Sequence, residues 1–309
     1  MQNLIEIRND TLRASVLPMG ATLTGLWPKG AEKSLVLGLV DPADYVRFPI
    51  YSGAIVGPLA NRLRGGQARI DGQTVRMPRN EGGRTTLHSG PQGLHTHEWA
   101  VTAKSVDAVT LECTLADGAC GLPGQRKITA TYRLLDHRLQ LNLTATTDAP
   151  TFINLAHHPY WMTGENARLQ VNARHYLPVD DLNLPTGEIL DVAGTEFDLR
   201  TPTRVPAHLD HNYVLANAAR PAPDLAAELT TDTYGLQIRT SAPGLQVYSG
   251  SGLPDISAAR TTSGAVQSLA GLALEPQLWP DAPNHSGFPS VLLRPGEIWK
   301  QLTDYCLIV

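Results

Sequence analysis

Three cysteines among 309 residues, Cys113, Cys120 and Cys306, are an odd number without a C-x-x-C spacing. They exclude a disulfide framework and a self-contained zinc site, and a reducing cytoplasmic setting is expected. The chain has no basic n-region followed by an apolar h-region, and no segment approaches the ~20 apolar residues of a spanning helix. A membrane partner is therefore not expected. Basic residues number 25 against 29 acidic ones, a net charge of -4 with no long basic run, so the electrostatic footprint of a nucleic-acid binder is missing. Low-complexity stretches, repeats of fixed period and sharp composition breaks are also lacking. With 42% hydrophobic and 17% charged residues, there is material for one large core. A single domain over 1–309 is expected, present as a monomer or homodimer.

Helical periodicity is nearly absent too. Only A-P-D-L-A-A-E-L at 222–229 reads as a short helix. What the chain has is alternation: L-I-E-I-R at 4–8, Q-A-R-I and Q-T-V-R around Asp71-Gly72, and K-I-T-A-T-Y-R-L at 127–134 followed by R-L-Q-L-N-L-T-A-T at 138–146. Asp71-Gly72 and Asp136-His137 sit where hairpins reverse. The 27 glycines and 23 prolines punctuate the remainder at short intervals. The fold class is all-β, a large antiparallel sandwich with few short helices.

Polar residues gather in loops beside Gly and Pro, where a β scaffold carries its chemistry. Four stretches stand out: G-P-L-A-N-R-L at 57–63, L-H-S-G at 87–90, N-L-A-H-H-P-Y-W at 154–161 with L-D-H-N-Y at 209–213, and L-E-P-Q-L-W-P-D-A-P-N at 274–284. Neighbouring side chains on a strand point to opposite faces, so His157 and His158 cannot both enter one pocket. Glu275 follows A-G-L-A-L, an apolar run in which a carboxylate is expensive to bury without a task. His95 and His97 in H-T-H would share a face on a strand, as a metal site of the cupin kind requires, but Glu98 follows at once and would point away. No metal and no cofactor are expected.

In this order and with these neighbours, the stretches resemble the aldose 1-epimerases. The resemblance runs nearly end to end, through G-A-T-L-T-G-L-W-P at 20–28, Asn61-Arg62, L-H-S-G, N-x-x-x-H-x-Y, L-P-V-D-D…P-T-G-E-I at 177–189, D-H-N-Y, E-x-Q before P-D-A-P-N-H, and L-R-P-G-E at 293–297. It implies a β-supersandwich with an open sugar groove on one sheet. It also implies cofactor-free interconversion of the α and β anomers of a free aldose such as galactose or glucose. It places the general acid at His158, leaves His157 as support, and makes Glu275 the base. Arg62 and His88 become sugar-binding donors, Asp210 an acceptor of sugar hydroxyls, and Gln277 a residue that orients the base or a hydroxyl. Asn61 serves the turn. Trp161 and Trp279 could offer an apolar face to a sugar ring, or simply belong to the core.

Opening a pyranose takes a proton from the anomeric hydroxyl and gives one to the ring oxygen, so a base and an acid are expected on different sides of the ring. A carboxylate beside His158, Asp210 or Glu275, is expected to raise the imidazole pKa, with Glu275 setting the acid limb of the rate profile. Pro58, Ser89 and H-P-Y-W-M depart from the family's commoner G-R-x-A-N-R, L-H-G-G and H-x-Y-F-N. They are expected to alter the surroundings of the sugar. Hexose-6-phosphate 1-epimerases are the alternative within the same fold, weakened because position 58 lacks a cationic side chain. A sugar-binding protein without catalysis would lack His158 or Glu275, and both are present.

Overall fold

Strands Arg126–Leu135 and Arg138–Thr147 pair antiparallel from Arg126 opposite Thr147 to Leu135 opposite Arg138, and Asp136 takes the left-handed conformation (φ 48°) that the tight reversal demands. Asp71 and Gly72, with φ of 46° and 84°, close the smaller hairpin of Gln67–Ile70 and Gln73–Arg76 in the same way. Both expected hairpins are present in the computed structural model, which describes residues 4–308.

The long hairpin occupies part of a nine-stranded antiparallel sheet. In spatial order its strands are Thr203–Arg204, Arg168–Val171, Asp224–Thr230, Gly235–Thr240, Trp299–Ile308, Arg138–Thr147, Arg126–Leu135, Ala108–Leu115 and Ala100–Lys104. A six-stranded sheet runs Tyr160–Met162, Gly271–Gln277, Gly244–Tyr248, Asp210–Val214, His175–Tyr176 and Leu190–Asp191. The two sheets meet face to face: the Trp161 and Tyr305 rings lie 5.2 Å apart, and Gln301 Nε2 donates to the Pro276 carbonyl at 2.9 Å. One apolar cluster extends from Ile5 to Leu307 and includes rows from both sheets. This is the all-β sandwich expected from the alternation.

The expected helix at 222–229 is instead the strand Asp224–Thr230. Its register shifts between Leu225 and Ala227, which buries the consecutive residues Ala226 and Ala227 and breaks the period-2 signal into something helix-like. The α-helix lies at Pro42–Arg47, where Asp41 Oδ1 accepts from Ala43 N at 2.9 Å and proline occupies the first turn. H-T-H is no strand either. His95 lies in a 3₁₀ turn, Leu94–Thr96, and His97 follows it. Among the described residues no helix is long and apolar enough to cross a membrane, and all three cysteines are free.

Candidate active site

The strand Gly271–Gln277 is buried at every position, so its side chains alternate between the inter-sheet core and the other face of the six-stranded sheet. Glu275 lies on that other face, 2% exposed, at the floor of a groove of about 750 Å³. His158 reaches the same floor from the segment between Ala156–His157 and Tyr160–Met162. Its Nε2 stands 3.5 Å from Glu275 Oε1. The backbone of His158 is held on both sides by one turn: its N–H donates to the Ala54 carbonyl and its carbonyl accepts from Gly53 N–H.

His157 points the opposite way. Its Nδ1 lies 3.0 Å from the Tyr305 hydroxyl, and its ring packs edge-on against Tyr132 and Tyr305 inside the sandwich. The strand parity that separated the two histidines in the sequence is thus observed.

Arg62, His88, Asp210 and Asn61 line the groove with Glu275 and His158, so six of the seven residues singled out are brought together. Gln277, fully buried two residues beyond Glu275, does not line it. Arg62 donates through Nη1 to Asp210 Oδ2 at 2.9 Å, while its Nε and Nη2 grip Glu81 at 2.9–3.1 Å. Asn61 adopts φ 61° and its Oδ1 accepts from Arg62 N–H at 2.7 Å, the turn role expected of it. Its own N–H donates to His88 Nδ1 at 3.1 Å. That bond makes Nδ1 an acceptor, so neutral His88 carries its proton on Nε2 as a fixed donor.

Burial dominates the ionisation of this floor. It pushes the His158 imidazole down to about 4 against a smaller upward pull from Asp210, and pushes the Glu275 carboxyl well above the usual carboxylate range, with Asp210 adding to the rise and Arg62 opposing it. The expectation that a neighbouring carboxylate would raise His158 is therefore corrected: Asp210 acts in that sense, and desolvation outweighs it. His158 and Glu275 stand side by side on the groove floor. His88, also buried, is held well below its ordinary value.

His88, His158 and Glu275 offer ligand atoms within 4.8 Å of one another and would be the residues to hold a divalent cation. His88 fits that task poorly, since ligation through Nε2 requires it to surrender the proton that the Asn61 bond places there.

Trp161 and Trp279 both belong to the core, Trp279 donating to the Pro243 carbonyl at 3.1 Å. The aromatic rings on the groove are Phe48, Tyr51, Tyr160 and Tyr248. Pro58 and Ser89 do not line the groove. Ser89 Oγ is spent on the backbone of Leu59, whereas Tyr160 of H-P-Y-W-M lines the groove.

Two residues were missed by the sequence reading. Gln246 donates to Asp210 Oδ1 at 2.6 Å and pairs with both Asn212 and Glu275 across the sheet. Its signal was available, a buried polar residue in the apolar strand G-L-Q-V-Y. Glu81, in the R-N-E-G-G loop, gave none.

Comparison with known proteins agrees with this geometry. The family model described as aldose 1-epimerase matches residues 3–306. Human galactose mutarotase is 33% identical over 317 residues, covering 96% of this chain and 92% of that protein. The aldose 1-epimerase of Escherichia coli K12 is 32% identical, covering 99% of this chain and 95% of that one. A GalM/aldose epimerase homologue from C. elegans superposes with a TM-score of 0.90 at 30% identity over 100% of this chain and 99% of its own. A galactose 1-epimerase from Lactobacillus acidophilus gives 0.87 at 28%, over 99% and 94%. With the match running nearly end to end, the chain belongs to the aldose 1-epimerase family.

Proposed function

We propose that the protein interconverts the α and β anomers of a free aldose such as galactose or glucose, with Glu275 as base and His158 as acid. The observation that carries the reading is the pair itself: two buried titratable groups 3.5 Å apart at the floor of an open groove. An ionised carboxylate with an imidazolium, and a neutral carboxyl with a neutral imidazole, hold the same single proton between them. Burial by itself favours the neutral arrangement. A sugar that brings its anomeric hydroxyl and ring oxygen to the pair supplies the polar partners that the ionised arrangement needs. Carboxylate Glu275 then takes the hydroxyl proton while His158 delivers one to the ring oxygen, and the C1–O5 bond opens. Rotation about the C1–C2 bond and reclosure give the other anomer.

His88 Nε2 and the free N–H groups of Arg62 are donors to the sugar, and Asp210 accepts from its hydroxyls. Gln277 is a buried polar residue of the strand that carries the base, two positions beyond Glu275 and off the groove lining. The continuous core supports reading the chain as one domain, and free cysteines agree with a cytoplasmic setting. Polarimetry of freshly dissolved α-D-galactose and α-D-glucose tests the reading. Equilibration is expected to accelerate equally with and without EDTA, and loss of activity on chelation would put a metal on the His88, His158 and Glu275 atoms instead.

A further inference from the structure

Glu81 holds the edge of Arg62 that would otherwise bind a carboxylate or phosphate in bidentate fashion. Its Oε1 accepts from Nε and Nη2, at 3.1 and 2.9 Å, and its Oε2 accepts from Nε at 2.9 Å. Glu81 is itself fixed, since Thr85 Oγ1 donates to Oε2 at 2.6 Å and the Glu81 and Thr85 backbones bridge each other. The Arg62 side chain is 11% exposed and meets Asp210 through Nη1 alone. Each Asp210 oxygen thus carries one bond, from Arg62 to Oδ2 and from Gln246 to Oδ1, and keeps acceptor capacity toward the groove.

We propose that Glu81 is a positioning residue that determines specificity: by occupying the bidentate edge of Arg62 it leaves Asp210 open to sugar hydroxyls and closes the groove to phosphorylated aldoses. The inference rests on the epimerase reading above. A guanidinium confronted by one carboxylate alone turns its planar fork onto it. Without Glu81, Arg62 would pair with Asp210 through two bonds and remove acceptors from the sugar. When a phosphorylated aldose enters instead, the same released fork can turn from Asp210 to the phosphate. With Glu81 in place, the largely buried positive charge of Arg62 faces two negative ones. Arg47, the other arginine on the groove, is exposed at its rim, where salt screens it.

The test compares Glu81→Gln and Glu81→Asp with the unaltered protein, using polarimetry on α-D-glucose and inhibition by glucose 6-phosphate. In Glu81→Gln, KM is expected to rise about tenfold with kcat within about threefold, the pattern of lost ground-state binding. Inhibition by glucose 6-phosphate should strengthen about tenfold or more, as expected when a bidentate phosphate donor is released. Glu81→Asp keeps the charge on a shorter side chain. It should still exclude the phosphate while only partly restoring KM.

The alkaline limb of kcat/KM should move to lower pH in Glu81→Gln. The groups facing Glu275 are Asp210 and Arg62 in the groove, His158 and His88 beside it, Tyr160 on the neighbouring strand and Tyr305 behind. Of these, only the Arg62 and Asp210 balance changes, toward positive, which favours the carboxylate. A surface clamp without this role would leave the limb and the phosphate inhibition where they were, and that result overturns the proposal. If the unaltered protein accelerates no aldose, the epimerase reading fails instead, and the two failures are told apart by that first measurement.

Discussion

In the nine-stranded sheet the inward positions Ile128, Ala130, Tyr132, Leu134, Leu139, Leu141, Leu143 and Ala145 are apolar and buried. Arg126, a buried charge at the end of the same row, gives its guanidinium to four backbone carbonyls, those of Leu122, Pro123, Ala116 and Ala119. On the groove face of the six-stranded sheet, Asn212, Gln246 and Glu275 stand in a cross-strand row, with Gln277 two residues beyond Glu275 on the same face. Asn212 Oδ1, Gln246 Oε1, Glu275 Oε2 and both amide atoms of Gln277 find no hydrogen-bond partner among the described residues. Such atoms carry a desolvation penalty of about 1–3 kcal/mol each. One sheet is built for stability and the other holds polar groups at a cost to it, as sites of function do.

One substitution in each sheet separates their roles. Glu275→Gln should lower kcat by about 10³-fold, as expected for loss of a catalytic carboxylate, and yet raise stability at pH 7. The sign follows from the folded carboxyl titrating well above its ordinary value. Below about pH 4 both folded and unfolded forms are protonated. Above it the unfolded chain ionises first, and each further pH unit costs the fold about 1.4 kcal/mol until the folded carboxyl also titrates. Glutamine does not ionise and escapes that cost. Leu143→Ala in the other sheet should do the reverse, losing about 2–5 kcal/mol in a denaturant titration while the folded enzyme keeps its kcat. A Glu275→Gln protein less stable than its parent at pH 7 would erase the contrast.

The two histidines repeat the contrast across a single peptide bond. His158→Ala should reduce kcat by about 10²-fold, the usual loss for a general acid. Sugar affinity should be retained, because Arg62 and Asp210 remain. A large rise in KM would make His158 a ligand instead. His157→Ala should change kcat by less than about tenfold but cost about 2–4 kcal/mol, from the cavity and the abandoned Tyr305 hydroxyl.

How far the sequence reaches follows the same division. The long hairpin was legible because its alternation is local and its turn sits between the two runs. The strand at 224–230 was not, because its bulge depends on partners at 168–171 and 235–240. His158, Glu275, Arg62, His88 and Asp210 were legible as a set through the resemblance. Glu81 was not, since its role exists only when a loop residue meets Arg62 in space. Parity explains Trp161: it follows Tyr160 on a strand, so a groove-facing tyrosine sends the tryptophan into the core.

The pH profile reads the buried pair itself. With Glu275 as base and His158 as acid, as proposed, active free enzyme requires one proton on the pair, and kcat/KM reports its gain and loss in the absence of sugar. On the acid side the pair takes a second proton when the His158 imidazole charges, and burial places that event at about 4. On the alkaline side the pair loses its single proton, and the Glu275 carboxyl, pushed well above its ordinary range, governs that loss. The assignments are the reverse of those expected from isolated groups, where the carboxylate would set the acid limb. His158→Gln should therefore remove the limb near pH 4 from the residual activity, and Glu275→Gln should remove the alkaline limb. Stopped-flow or polarimetric rates from pH 3.5 upward, corrected for the uncatalysed reaction, distinguish the two orders. An acid limb that vanishes in Glu275→Gln and survives in His158→Gln would return the proton to the imidazole and make the groove floor wetter and more polar than its burial implies.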